Sequence, residues 1–102
     1  MTAAERAPML TRAGFAAWLD AQPDDAVVGE SQSCGRCPLA IFARDGLGIA
    51  SALIGTSSWS DHAGIYVHAP WAAAFVFAVD DLGREVRITA ATARALLAAV
   101  AS

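Results

Sequence analysis

The chain reads as a single small α+β domain of about four helices with a short β-hairpin or small sheet. Three observations predict this. At 102 residues it has room for one hydrophobic core and no second. Apolar residues recur with helical spacing in segments near residues 11–22, 38–45, 70–82 and 89–100. Between the second and third of these lies a stretch with glycine, isoleucine, valine and tyrosine, a pattern of short strands.

The elements follow in order. Residues 1–10 form a flexible start, and the domain proper covers 11–102. Thr11 is a helix N-cap, since its hydroxyl can accept from a free first-turn amide. Leu10 and Phe15 have the spacing of a hydrophobic staple, and Phe15, Trp18 and Leu19 share one face. Pro23 ends that helix, because the residue before a proline avoids the α region. Residues 26–29 make a strand or tight turn, and 30–33 a polar loop. Pro38 suits the first position of a second helix, which Gly46 stops in a left-handed conformation.

Residues 48–55 predict a strand and 65–68 its returning partner, joined by a turn-rich loop over 56–63. Trp71, Phe75, Ala78, Val79 and Leu82 then make a helical stripe, which Gly83 ends. Residues 85–88 add a short strand. Thr89 caps a last helix with Ala93, Leu96, Leu97 and Val100 on its buried side.

Composition excludes several classes. Hydrophobic residues make up 56% and charged residues 17%, so the chain is no solvated disordered polymer. Its formal charge is −3 and all seven cations are arginine, which argues against nucleic-acid binding by bulk electrostatics. No apolar run approaches the ~18 residues of a membrane span, so no membrane association is expected. The N-terminus carries Glu5 and Arg6 and no hydrophobic block, so it does not read as a secretory signal. Cytoplasmic location is the expectation, with thiols kept reduced.

Cys34 and Cys37 are the strongest local signal. Thiols at this spacing before a helix can exchange disulfides, because a helix N-terminus favours the thiolate. They can also supply half of a zinc site, with His62 and His68 as the remaining ligands. Or they can pack as small hydrophobes. Elsewhere the sequence offers less. Asp80, Asp81 and Glu85 read as a solvated turn after a helix. Ser57, Ser58 and Ser60 near Asp61 and His62 do not make a triad by sequence proximity alone.

Trp59 in a serine-rich loop is costly to expose and useful in an interface. With His62 and Tyr66 it forms the candidate partner-binding set. With so little charge, some apolar surface must stay exposed, and large exposed apolar patches mark partner sites. Self-association is then expected as a two-fold dimer.

Two resemblances add to this reading. The order helix, short strand, CxxC, helix, strand and later proline resembles thioredoxin-like proteins. That resemblance implies Cys34 as nucleophile, Cys37 as resolving thiol and Pro70 as the cis-proline beside them. The chain departs from that pattern in the short helix after Cys37, which Gly46 and Gly48 interrupt, and in Ser33, where an aromatic is usual. The pieces Phe15-Ala16-Ala17-Trp18-Leu19, Val27-Val28-Gly29, Cys37-Pro38-Leu39-Ala40, Pro70-Trp71-Ala72, Phe75-Val76 with Val79-Asp80, and Ala93-Arg94-Ala95-Leu96-Leu97 carry the second. Over about residues 11–100 they resemble a group of small uncharacterised bacterial proteins. That resemblance implies a helix over 70–82 and a structural importance of Cys37, but no activity.

The expected function is a small non-catalytic interaction or accessory domain that binds a protein partner or itself, without a cofactor. A thiol–disulfide oxidoreductase using Cys34 and Cys37 is the alternative. A structural zinc domain built on Cys34, Cys37, His62 and His68 is the third.

Overall fold

The computed structural model describes residues 10–100. Helix α1 spans Arg12–Asp20, and strand β1 spans Val27–Glu30. Helix α2, Pro38–Ile41, runs into a π-helical turn over Phe42–Gly46. Three short strands follow, β2 (Leu53–Ile54), β3 (Ser58–Asp61) and β4 (Gly64–Val67). Helix α3 (Pro70–Asp80), strand β5 (Arg87–Thr89) and helix α4 (Ala90–Ala99) complete the order. The result is a small α+β fold of four helices and two antiparallel sheets among the described residues.

The helices begin where side-chain chemistry allows. Thr11 accepts from the Gly14 amide at 3.0 Å, and Thr89 accepts from the Thr92 amide at 3.2 Å. Pro38 and Pro70 open α2 and α3, where a missing N–H costs nothing. Leu10, read as part of a flexible start, is instead buried in the core; residues 1–9 lie outside the described residues.

Core packing centres on Phe15. Its ring lies 5.0 Å from Phe75 edge-on and 5.4 Å from Phe42, centroid to centroid. Trp71, Phe75, Val76 and Val79 line the buried side of α3. Leu82, placed in that stripe by its spacing, lies beyond the helix and is exposed. Helix α4 packs on α1 and α3, and α2 packs on β1.

The end of the second helix differs from expectation. Gly46 is not the left-handed stop; Gly48 is, with φ +73°. A Cβ on Gly46 would stand 2.7 Å from the Phe42 ring, so the backbone passes over that ring and the turn widens. The Ile49 amide then reaches the Ala43 carbonyl at 2.9 Å.

The first sheet pairs β1 with β5, antiparallel, with a bulge between Val27 and Gly29. Gly29 is needed there, since a Cβ would lie 2.6 Å from the Pro38 nitrogen and 2.7 Å from the Arg36 carbonyl oxygen. Ser31, fully buried, ties this sheet to the turn after α3. It donates to the Gly83 carbonyl and accepts from the Val86 amide at 2.8 Å.

The second sheet has the order β2-β3-β4. It corrects the expected hairpin with a long loop. The 56–63 segment is largely strand β3, and it, rather than the 48–55 segment, is the direct partner of 64–67. Of 48–55 only Leu53–Ile54 is strand, because Ile49 and Ala52 turn into the core.

Candidate functional site

Ser33 begins a single helical turn. Its carbonyl accepts from the Arg36 amide at 3.3 Å and the Cys37 amide at 2.9 Å. Residues three apart on such a turn lie on one side. Cys34 and Cys37 accordingly line one cleft of about 350 Å³, together with Gln32, Thr56, Val76 and Asp80. The Arg36 carbonyl accepts from the Glu30 amide at 2.8 Å, which seats the turn on β1 at Gly29. The Cys34 carbonyl accepts from the Ile54 amide at 2.8 Å, which ties it to β2.

The two thiols are free and differ in environment, Cys34 being exposed and Cys37 buried. Burial pushes the Cys37 thiol up to about 11, although the Ala40 and Leu39 amides at the helix start pull the other way. Cys37 is thus a protonated thiol at neutral pH, and Cys34 is the accessible sulfur of the pair.

Asp80 closes the cleft from the end of α3. Its Oδ1 accepts from the Gln32 amide at 2.8 Å, and its carbonyl accepts from Gln32 Nε2 at 3.0 Å. Gln32 holds φ at 52°, a left-handed conformation fixed by this double contact. Asp80, read from sequence as part of a solvated turn, is therefore engaged with the loop before the cysteines. Nothing in the sequence spacing signals a contact across 48 residues.

Cys34 also borders the second sheet, where it lines a shallow cleft of about 290 Å³ with Leu53, Ser58, Ser60 and Ile65. The sheet has two unlike faces. Ile54, Trp59 and Tyr66 are aligned across the three strands and buried. Leu53, Ser60 and Ile65 form the next row and point the other way, with Val67 opposite Ser58 beyond them. On this outer face Leu53 is 51%, Ile65 78% and Val67 88% exposed.

The predicted contact residues are distributed otherwise than expected. Trp59 is 2% exposed and Tyr66 5%, because both sit on the inner face of the ladder. The exposed indole inferred from a serine-rich loop is absent, and Ile65, Val67 and Leu53 supply the apolar surface instead. His62 is exposed in the β3–β4 turn, with its amide donating to Ser51 Oγ at 3.1 Å.

The proposed zinc ligands are not brought together. Among the described residues no three His, Cys, Asp or Glu side chains converge on a position that could hold a metal ion. His68 is turned inward, its Nε2–H donating to the Gly55 carbonyl at 2.8 Å, while Nδ1 is buried without a partner. Desolvation lowers its pKa below the ordinary 6.5. Pro70 opens α3 through a trans peptide bond, so the cis-proline implied by the thioredoxin-like layout is not found. Asp61 Oδ1 accepts from the Ala63 and Gly64 amides at 2.7 and 3.1 Å and from the Tyr66 hydroxyl at 3.0 Å.

Comparison of the chain with family models, with curated proteins and with solved structures found no match. Among the described residues, no helix is long and apolar enough to cross a membrane.

Proposed function

We propose that this chain is a small interaction domain that binds a protein partner or a second copy of itself through the outer face of the β2–β3–β4 sheet. The observation that carries this reading is the alternation along the ladder. Trp59 and Tyr66 satisfy the core from one face, while Leu53, Ile65 and Val67 leave apolar area on the other. Contiguous exposed apolar groups mark contact sites in soluble proteins. The reading invokes no cofactor and is framed for a cytoplasmic protein. A photo-crosslinking residue at position 65 tests it in cells. Adducts are expected at 65 but not at the exposed position 84, and Val67→Lys, next to it on the same strand and face, is expected to abolish them. No adduct at 65, including none to the chain itself, overturns the reading.

A second reading is thiol–disulfide exchange, favoured by the exposed Cys34 and buried Cys37 lining one cleft. In it the Cys34 thiolate attacks a substrate disulfide, forming a mixed disulfide and releasing one substrate thiolate. Cys37, on losing its proton, attacks Cys34 Sγ and releases the second, leaving the Cys34–Cys37 bond and a reduced substrate. Exposure to oxidised glutathione tests it by intact mass: loss of two hydrogens is expected, and a stable glutathione adduct on Cys34 counts against it.

A further inference from the structure

Among the described residues strand β4 is an edge strand, and its outer edge presents backbone groups ready for pairing. The direction of these groups follows from the ladder. The Ser57 carbonyl accepts from the His68 amide at 3.1 Å, and the Ser58 carbonyl accepts from the Gly55 amide at 2.8 Å. Successive residues of β3 therefore alternate between β4 and β2. In an antiparallel pair, residues whose groups meet also alternate. Trp59 and Tyr66 then bond to each other, and the N–H and C=O of Ile65 and Val67 point away from the sheet. Among the described residues β4 makes its extensive contacts with β3 alone.

Edge strands in soluble proteins are commonly blunted by lysine, proline, a bulge or an inward charge. Within β4, Gly64–Val67, there is none of these. Between residues 57 and 79 the one charged side chain is Asp61, whose carboxylate is turned onto its own hairpin. An identical edge therefore brings no like charge against it, despite the net charge of −3. A second copy is thereby favoured over a strongly charged strand, which would find Asp61 as the one charged side chain between residues 57 and 79.

We infer that β4 pairs antiparallel with β4 of a second copy, about a two-fold axis at Tyr66, joining two three-stranded sheets into one of six strands. This rests on the interaction reading above and names its occupant. The register is set by the free groups. With Tyr66 opposite Tyr66 of the partner subunit, each Ile65 faces Val67 of the partner subunit as a hydrogen-bonded pair. Two such pairs exchange their amides and carbonyls. On the outer face each exposed Ile65 then lies beside the second copy's valine, a cross-strand β-branched pair. Edges this short give a weak, concentration-dependent dimer, at the small end of specific interfaces.

Sedimentation of the full chain across a wide concentration range, with amide hydrogen exchange at each end of it, tests this. A reversible dimer is expected, with the Ile65 and Val67 amides slowing as dimer forms while Tyr66 is slow throughout. Ile65→Lys and Val67→Lys, both at exposed positions, are expected to raise the dissociation constant by roughly tenfold or more. Phe77→Lys on α3 is expected to leave it unchanged. A chain monomeric throughout overturns the pairing, as does a dimer in which those two amides stay fast. If the chain is monomeric yet residue 65 still crosslinks to another protein, the self-pairing falls and the interaction reading stands. If residue 65 crosslinks to nothing, both fall.

Discussion

The indole of Trp59 packs on the phenol ring of Tyr66 with centroids 4.3 Å apart, and the two residues are opposed partners in the β3–β4 ladder. The contact fastens the second sheet to the core, and the Tyr66 hydroxyl continues past it to Asp61 Oδ1 at 3.0 Å. Trp59→Ala is expected to cost about 3–5 kcal/mol of folding stability, and Tyr66→Phe about 1 kcal/mol. Urea unfolding of both variants measures this. A loss of partner binding by Trp59→Ala without a loss of stability would place the indole in the interface instead.

Gly29 meets Pro38 and Arg36 through backbone atoms, which cannot swing aside as a side chain can. Gly29→Ala is therefore expected to destabilise by about 2 kcal/mol or more. Gly35→Ala is the control: its Cβ would stand 3.7 Å from a Leu53 methyl, an ordinary contact. Thermal unfolding should separate the two variants clearly.

The two cysteines should behave differently toward a thiol reagent. Native protein is expected to take one label, on Cys34, and unfolded protein two, by mass. Cys37 also sets an alkaline limit. Its pKa rises from 9.0 in the free thiol to about 11 on folding. The folded chain keeps a proton that the unfolded chain loses between those values. The associated stability is complete below pH 9 and lost as pH rises toward 11, by about 2–3 kcal/mol. Cys37→Ala should flatten that part of the stability profile.

His68 gives the opposite dependence. Its folded pKa lies below the ordinary 6.5, mainly through burial. The stability tied to the neutral ring is present above pH 6.5 and is lost as pH falls through the folded value. Nitrogen NMR should find the proton on Nε2 and a titration midpoint below 6.5. A midpoint at or above 6.5 would contradict the inward placement.

Much of the helical framework is legible in the sequence because each helix carries its own signals. Thr11, Thr89, Pro38 and Pro70 mark starts, and Trp71, Phe75 and Val79 fall on one side of α3 at the right spacing. The strands are less legible. Strand β3 presents a single large apolar residue, Trp59, among serines and an aspartate, so its sequence shows no alternation to read. Its strand character comes from neighbours on both sides. The pairing of β1 with β5 joins residues nearly sixty apart, and nothing local announces it. Of the candidate site, the cysteine spacing is plain in the sequence. The apolar outer face is not, since Ile65 and Val67 look no different from core residues until the register with β3 is known.

Arg94 closes the chain on itself. Its guanidinium donates to the Leu19 carbonyl near the end of the first helix, at 3.0 Å, and to Asp24 in the turn that follows, from 70 or more residues downstream. Strand β1 likewise waits for β5. At the usual pace of synthesis, roughly 5–20 residues per second, the nascent chain holds these early segments without partners for roughly 3–15 seconds. Pairing of these segments is therefore deferred until residues 87–94 have emerged from the ribosome. Through that interval α1 and β1 keep Leu19 and Val28 uncovered, and slow codons between positions 30 and 94 are expected to lower the soluble yield more than slow codons before them.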